Sequence, residues 1–227
     1  MVELRRKLSG SHAIAAHRFA KLCEELETKS GGSPSKAVLE EDKAYAIAAV
    51  VSSVAFLETS VNEFFGDASD ALLSDLDEDA IDRLAAVWRL QDTERLSILD
   101  KHQLALVTAG QPPFDLGAQP FQDPHILVRL RNRLVHAKAE WISLPPSLES
   151  PATDKLAEAL RGKFKENSML VGSPYPFFPE RCLGAGCANW SINTAARFFA
   201  EFAKRMGIPR PEARTFDTWR FRYHRNA

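Results

Sequence analysis

Cysteine is nearly missing from this chain: Cys23, Cys182 and Cys187 are the only three in 227 residues. An odd count with no zinc-like spacing offers neither a disulfide framework nor a metal finger. The expectation is a reduced, cytoplasmic protein whose thiols are small buried hydrophobes. Charge of one sign is missing too, with 29 Lys+Arg against 30 Asp+Glu. The molecule as a whole therefore does not advertise a nucleic-acid partner, and any such site must be local. No run of about 18 purely apolar residues occurs, which argues against a membrane-crossing helix. The opening MVELRRKLSGSHAIAAHRF lacks the apolar core and cleavage site of a signal peptide. Also absent are strand alternation, an internal repeat, a glycine-rich phosphate loop, G-x-S-x-G and H-E-x-x-H. The acidic stretch 66–79 lacks the glycine and terminal glutamate of a calcium loop, so it reads as a solvated loop with a short helix at 71–76. What remains is helical periodicity, and the fold class is all-α.

The apolar content of 45% is enough for a real core. Residues 11–28 read as a first helix, with Ile14, Phe19, Leu22, Cys23 and Leu26 inward, and 29–34 as a breaker. Residues 36–65 are apolar on nearly every side, as expected of a central helix. On it, Val51, Ala55, Glu58, Asn62 and Phe65 share a face. A carboxylate there needs a partner or an exit to water. Helices follow over 79–90, from Asp92 past Leu106, and over 153–167. Prolines 174, 176 and 179 forbid regular structure around them. A last helix ends at Gly207, with Trp190, Ile192, Ala195, Ala196, Phe199 and Phe202 inward.

The most informative stretch is Asp123–Trp141, DPHILVRLRNRLVHAKAEW. Asp123-Pro124 reads as an N-cap and first helical residue, and no further proline or glycine follows until Pro145. Leu127, Leu130, Leu134, Ala137 and Trp141 make one apolar stripe. Val128 and Val135 lie on a second surface, turned roughly 130° from it. Arg131 and Asn132 sit on either side of that valine line. Arg131 and His136 are separated by about 140° and 7–8 Å of rise, so they flank a half-apolar seam rather than stack.

At these residues the chain resembles the HEPN family. Arg131-Asn132-Arg133-Leu134-Val135-His136 looks like its R-x4-6-H signature, with a polar residue after the arginine. FLETSVNEFF (Phe56–Phe65) is similar to a phrase on the long helix of prokaryotic members, and CANWSINTAARFFAEF (Cys187–Phe202) to the closing helix of others. The resemblance implies a single helical bundle over 1–227, with a proline-rich insertion at 141–182. The tail 208–227 is a basic, aromatic arm. It also implies metal-independent cleavage of RNA at a homodimer cleft, held in check by an antitoxin or regulatory protein. No cofactor is required. His136 would be the general acid/base and Arg131 the phosphate clamp. Asn132 would orient substrate or imidazole, Glu58 and Asn62 would support from the long helix, and Arg129 and Arg133 would meet backbone phosphates. Two other readings stand beside it: a non-catalytic HEPN module that binds RNA or nucleotide or dimerises as a scaffold, and an unrelated helical interaction domain with the Val128/Val135 face buried within one chain.

Overall fold

The computed structural model describes residues 5–30, 34–90, 92–139 and 154–208, and among them there is helix but no strand. The chain is all-α. Its helices are α1 (Ser9–Ser30), α2 (Lys36–Ser69), α3 (Glu78–Trp88), α4 (Ile98–Thr108), α5 (Gln122–Val135), α6 (Lys155–Leu160) and α7 (Ala185–Arg205). The described residues fall into two compact units. One comprises 5–14, 55–124 and 195–208, the other 15–54, 125–139 and 154–194.

The first unit is built on aromatic rings. Phe56, Phe64 and Phe65 of α2 and Phe198 and Phe202 of α7 are buried. The Phe198 ring lies 4.7 Å from Phe114 and 5.0 Å from His102, and Phe64 meets Phe202 edge-on at 5.4 Å. Pairs of this kind add about 0.5–1.5 kcal/mol beyond the area they bury. Local chemistry sets the helix ends. Asp77, rather than the expected Asp79, caps α3 by accepting from the Ala80 amide at 2.8 Å. Ser97 caps α4, so the expected start at Asp92 is instead a single tight turn at Thr93–Arg95. The short helix expected at 71–76 does not form: Ala71 takes a positive φ of 53°, which ends α2. Glu63 reaches the start of α1, accepting from the amides of Leu8 (2.6 Å) and Ser9 (2.9 Å) and from the Ser9 hydroxyl. That satisfies donors which a helix start otherwise leaves open. Arg205 stacks on Phe114 and donates to the Pro112 and Pro113 carbonyls, pinning the proline loop before α5.

In the second unit the buried residues of α1 and of the start of α2 are small, while Leu127, Leu130, Leu160 and Leu183 fill the rest of its core. From α1 it buries Ala16, Ala20 and Cys23, and from α2 Ala46, Ala49 and Val50. The larger Phe19, Leu22 and Leu26, expected inward, are only half-buried. Small side chains let two helix backbones approach closely, and larger neighbours then cover the edges of the seam. The helix expected over 153–167 is much shorter. Asp154 caps α6, and the chain leaves it at Arg161-Gly162, where Gly162 has φ of 76°. Pro176 precedes one wide turn, Phe177–Arg181, which contains Pro179 and is broken internally at Phe178. Then α7 starts at closest approach. A Cβ on Gly186 would stand 2.1 Å from the Lys165 carbonyl oxygen, so only glycine fits there.

Helix α2 is long and apolar enough, by length and composition, to cross a membrane, although no purely apolar run reads that way in the sequence. Half of its most apolar stretch is buried inside the protein, as in the core helix of a globular fold.

Candidate functional site

Helix α5 carries the site residues, and its sequence explains its position. Leu127 and Leu130 are fully buried, each contributing about 1.5–3 kcal/mol by leaving water. Gln122 opens the helix, so Asp123 sits inside the first turn rather than capping it, with Pro124 buried beside it. The helix ends at Val135, short of the expected Trp141, which lies outside the described residues. The apolar stripe explains the early stop. Leu134 is half-buried, but Val135 is 53% exposed and Ala137, Lys138 and Ala139 are all exposed. Among the described residues beyond Leu134, 135–139, every side chain is exposed and gives no packing to offset the entropy of further turns.

His136 therefore stands one residue past the helix, exposed, with its amide still donating to the Asn132 carbonyl at 3.0 Å. Asn132, Arg129 and Arg133 are exposed as well, while Arg131 and Val128 are half-buried. Five residues and a half-apolar line thus share one short helical surface in the second unit. Of the valine line, Val135 is exposed and Val128 half-buried.

Glu58 and Asn62 lie on the α2 stretch that belongs to the first unit, both half-buried. The Asn62 side-chain oxygen accepts from the Lys101 ammonium at 2.9 Å. Lys101, 2% exposed, also lies over the Trp88 ring. So Asn62 serves α4, a partner the sequence did not suggest. Beside Lys101, His102 is fully buried, with Nδ1 bonded to the Ile98 carbonyl at 2.8 Å and Nε2 unpartnered. Burial lowers its pKa to about 4, so this imidazole is neutral at pH 7.

Sequence reasoning missed a second polar constellation. Cys23 and Glu27 on α1, Asp42 on α2 and Asn167 before α7 converge in the second unit. The Cys23 thiol donates to Asp42 Oδ1 at 2.9 Å, and the Asn167 amide donates to Asp42 Oδ2 at 2.7 Å. Glu27 accepts from the Ala185 amide at 2.5 Å and from the amide and hydroxyl of Ser168. The donor atoms of Cys23, Glu27 and Asp42 all lie within 4.8 Å of one another, a convergence the cysteine spacing did not suggest. All three are committed to protein hydrogen bonds, and burial pushes the Cys23 thiol well above its ordinary range. We read them as a hydrogen-bonded cluster. Only the i,i+4 spacing of Cys23 and Glu27 hinted at it, since Asp42 sits in a charged run, EEDK, that looks solvent-facing. All three cysteines are buried and free, as expected.

No protein-family model matches this chain, and neither does any curated protein or solved structure.

Proposed function

We propose that this chain is a HEPN-like helical protein acting as a metal-independent endoribonuclease of the toxin or phage-defence type, with the 141–182 stretch an insertion and the site at a homodimer cleft. The observation that carries this reading is the end of α5, exposed at Asn132, Arg133, Val135 and His136. It presents an exposed imidazole at His136, a guanidinium at Arg131 and an amide at Asn132 around an exposed valine. A surface with an open apolar line and flanking charges suits closure by a second copy. Two imidazoles and two guanidiniums would then surround one phosphodiester.

The chemistry follows from the side chains. His136 takes the proton of the ribose 2′-OH as that oxygen attacks phosphorus. The bond from phosphorus to the 5′-oxygen breaks, and the leaving oxygen receives a proton from the equivalent imidazole of the second copy. The products are a 2′,3′-cyclic phosphate and a 5′-hydroxyl. Arg131 offers a forked donor to the phosphate oxygens and stays charged throughout. Arg129 and Arg133 hold flanking phosphates. Asn132 orients substrate or imidazole. An antitoxin or regulatory protein would cover the same surface.

Product analysis tests the reading. RNA incubated with the protein should yield fragments with cyclic phosphate ends, and a 2′-deoxy substitution at the cut position should abolish the cut. RNA that is retarded in a gel but left intact would assign the surface to a binding module instead.

A further inference from the structure

Asp42 is 0% exposed, and the groups facing it come from every element packed around it. From α1 come the Cys23 thiol and the Glu27 carboxylate, and from the segment before α7 the Asn167 amide. Cys187 of α7 lies close enough to act on Cys23. The half-buried Glu27 carboxyl lies close enough to the buried Asp42 carboxyl to act on it. Like charges so placed disfavour double ionisation, and burial adds to the cost.

The local geometry supplies two hydrogen-bond patterns. With Asp42 ionised, the thiol donates to Oδ1. With a proton on Oδ1, that hydroxyl donates to the sulfur. The thiol proton turns to the Asp42 main-chain carbonyl, 3.6 Å away. Asn167 donates to Oδ2 in both, and also to the Leu183 carbonyl at 3.0 Å. The cluster sits where α7 begins. Glu27 holds the Ala185 amide and Ser168, and a Cβ on Gly184 would stand 2.5 Å from Glu27 and 2.9 Å from Asn167.

We propose that Asp42 is a proton-operated latch on the start of α7. Protonated, it leaves Glu27 as the single negative charge that holds Ser168 and Ala185. Ionised, it sets a second negative charge against Glu27, and that hold loosens. The proposal is independent of what the α5 surface does. Burial, with Glu27 adding to it, raises the Asp42 pKa to about 6, which places the change within the range a cell reaches.

The test is hydrogen exchange at the Ser168 and Ala185 amides in wild type and Asp42→Asn, at pH 5 and pH 7.5. Dividing by the variant removes the intrinsic pH dependence of exchange. The opening equilibrium in wild type should rise about tenfold over that interval relative to the variant. An unchanged ratio would overturn the latch. Should Asp42→Asn not fold, carbon NMR titration of the Asp42 carboxyl in wild type decides. A midpoint near 6 supports the proposal, and one near 4 overturns it. Zinc ions that close the Ala185 amide at pH 7.5 in place of the proton would also overturn it, assigning the cluster to a metal.

Discussion

The two units bury ionisable groups of opposite kind. The first encloses a base, His102, between phenylalanine rings and keeps it neutral by withholding a proton. The second encloses an acid, Asp42, beside a thiol and an amide, and holds its proton up to about pH 6. Both obey one rule: an interior of low polarity removes the charged form. The surrounding chemistry then decides how each unit fails. A ring-packed unit fails by losing shape, and a hydrogen-bonded one by losing a partner.

Side-chain truncation should show that contrast at its largest. Phe198 touches His102, Phe114 and Phe121 and is fully buried. Phe198→Ala should cost about 3–5 kcal/mol of stability, read by chemical denaturation. Asn167→Ala removes far less volume but strands Asp42 Oδ2 and the Leu183 carbonyl, at about 1–3 kcal/mol for each unsatisfied group. The two losses are comparable although far less volume is removed at Asn167, and an Asn167→Ala loss below about 1 kcal/mol would erase the distinction between the units.

The next largest effect is a pair of opposed pH slopes. The folded pKa of His102 is depressed to about 4 from 6.5. The unfolded chain therefore binds more protons in that window, and stability falls as pH drops through it. For Asp42 the folded pKa is raised, from 3.8 to about 6. Here the folded chain binds more protons, and stability is lost as pH rises from about 4 through 6. Each amounts to roughly 2–3 kcal/mol, so in wild type they nearly offset one another. In His102→Gln the acid loss should vanish, leaving a protein more stable at pH 4.5 than at pH 7. Melting curves across that range that match wild type in slope would break the comparison.

The sequence showed the skeleton of both units because the signals were local. Glycines and prolines marked the breaks, and three- and four-residue apolar spacing marked α1, α2, α5 and α7. It was less informative wherever a distant partner decided. Nothing in HQLALV tells that His102 is fully buried, because the rings that enclose it come from about a hundred residues downstream. The inward face of α1 was read by size, yet its alanines and Cys23 are the buried ones. Continuing α5 to Trp141 assumed that periodicity alone sustains a helix. It stops where its last described stripe residue, Ala137, is exposed. The candidate site was legible because Arg131, Asn132 and His136 are adjacent in sequence. The cluster at Asp42 was not, because its four members are spread from Cys23 to Asn167.

A smaller effect separates surface from interior. Val135 is exposed, so Val135→Ser should change monomer stability by no more than about 0.5 kcal/mol. It should still weaken self-association measured by sedimentation. Intact dimers would place the contact elsewhere on the surface.

The central claim is that the exposed imidazole after α5 does chemistry. The most direct measurement is the rate of cleavage of a single-stranded RNA by wild type and by His136→Ala, with melting temperature and oligomeric state followed in the same samples. The account predicts a loss of about 10²–10⁴-fold with both physical properties unchanged. Equal rates in the two proteins, or no cleavage by wild type of any RNA offered, would contradict it.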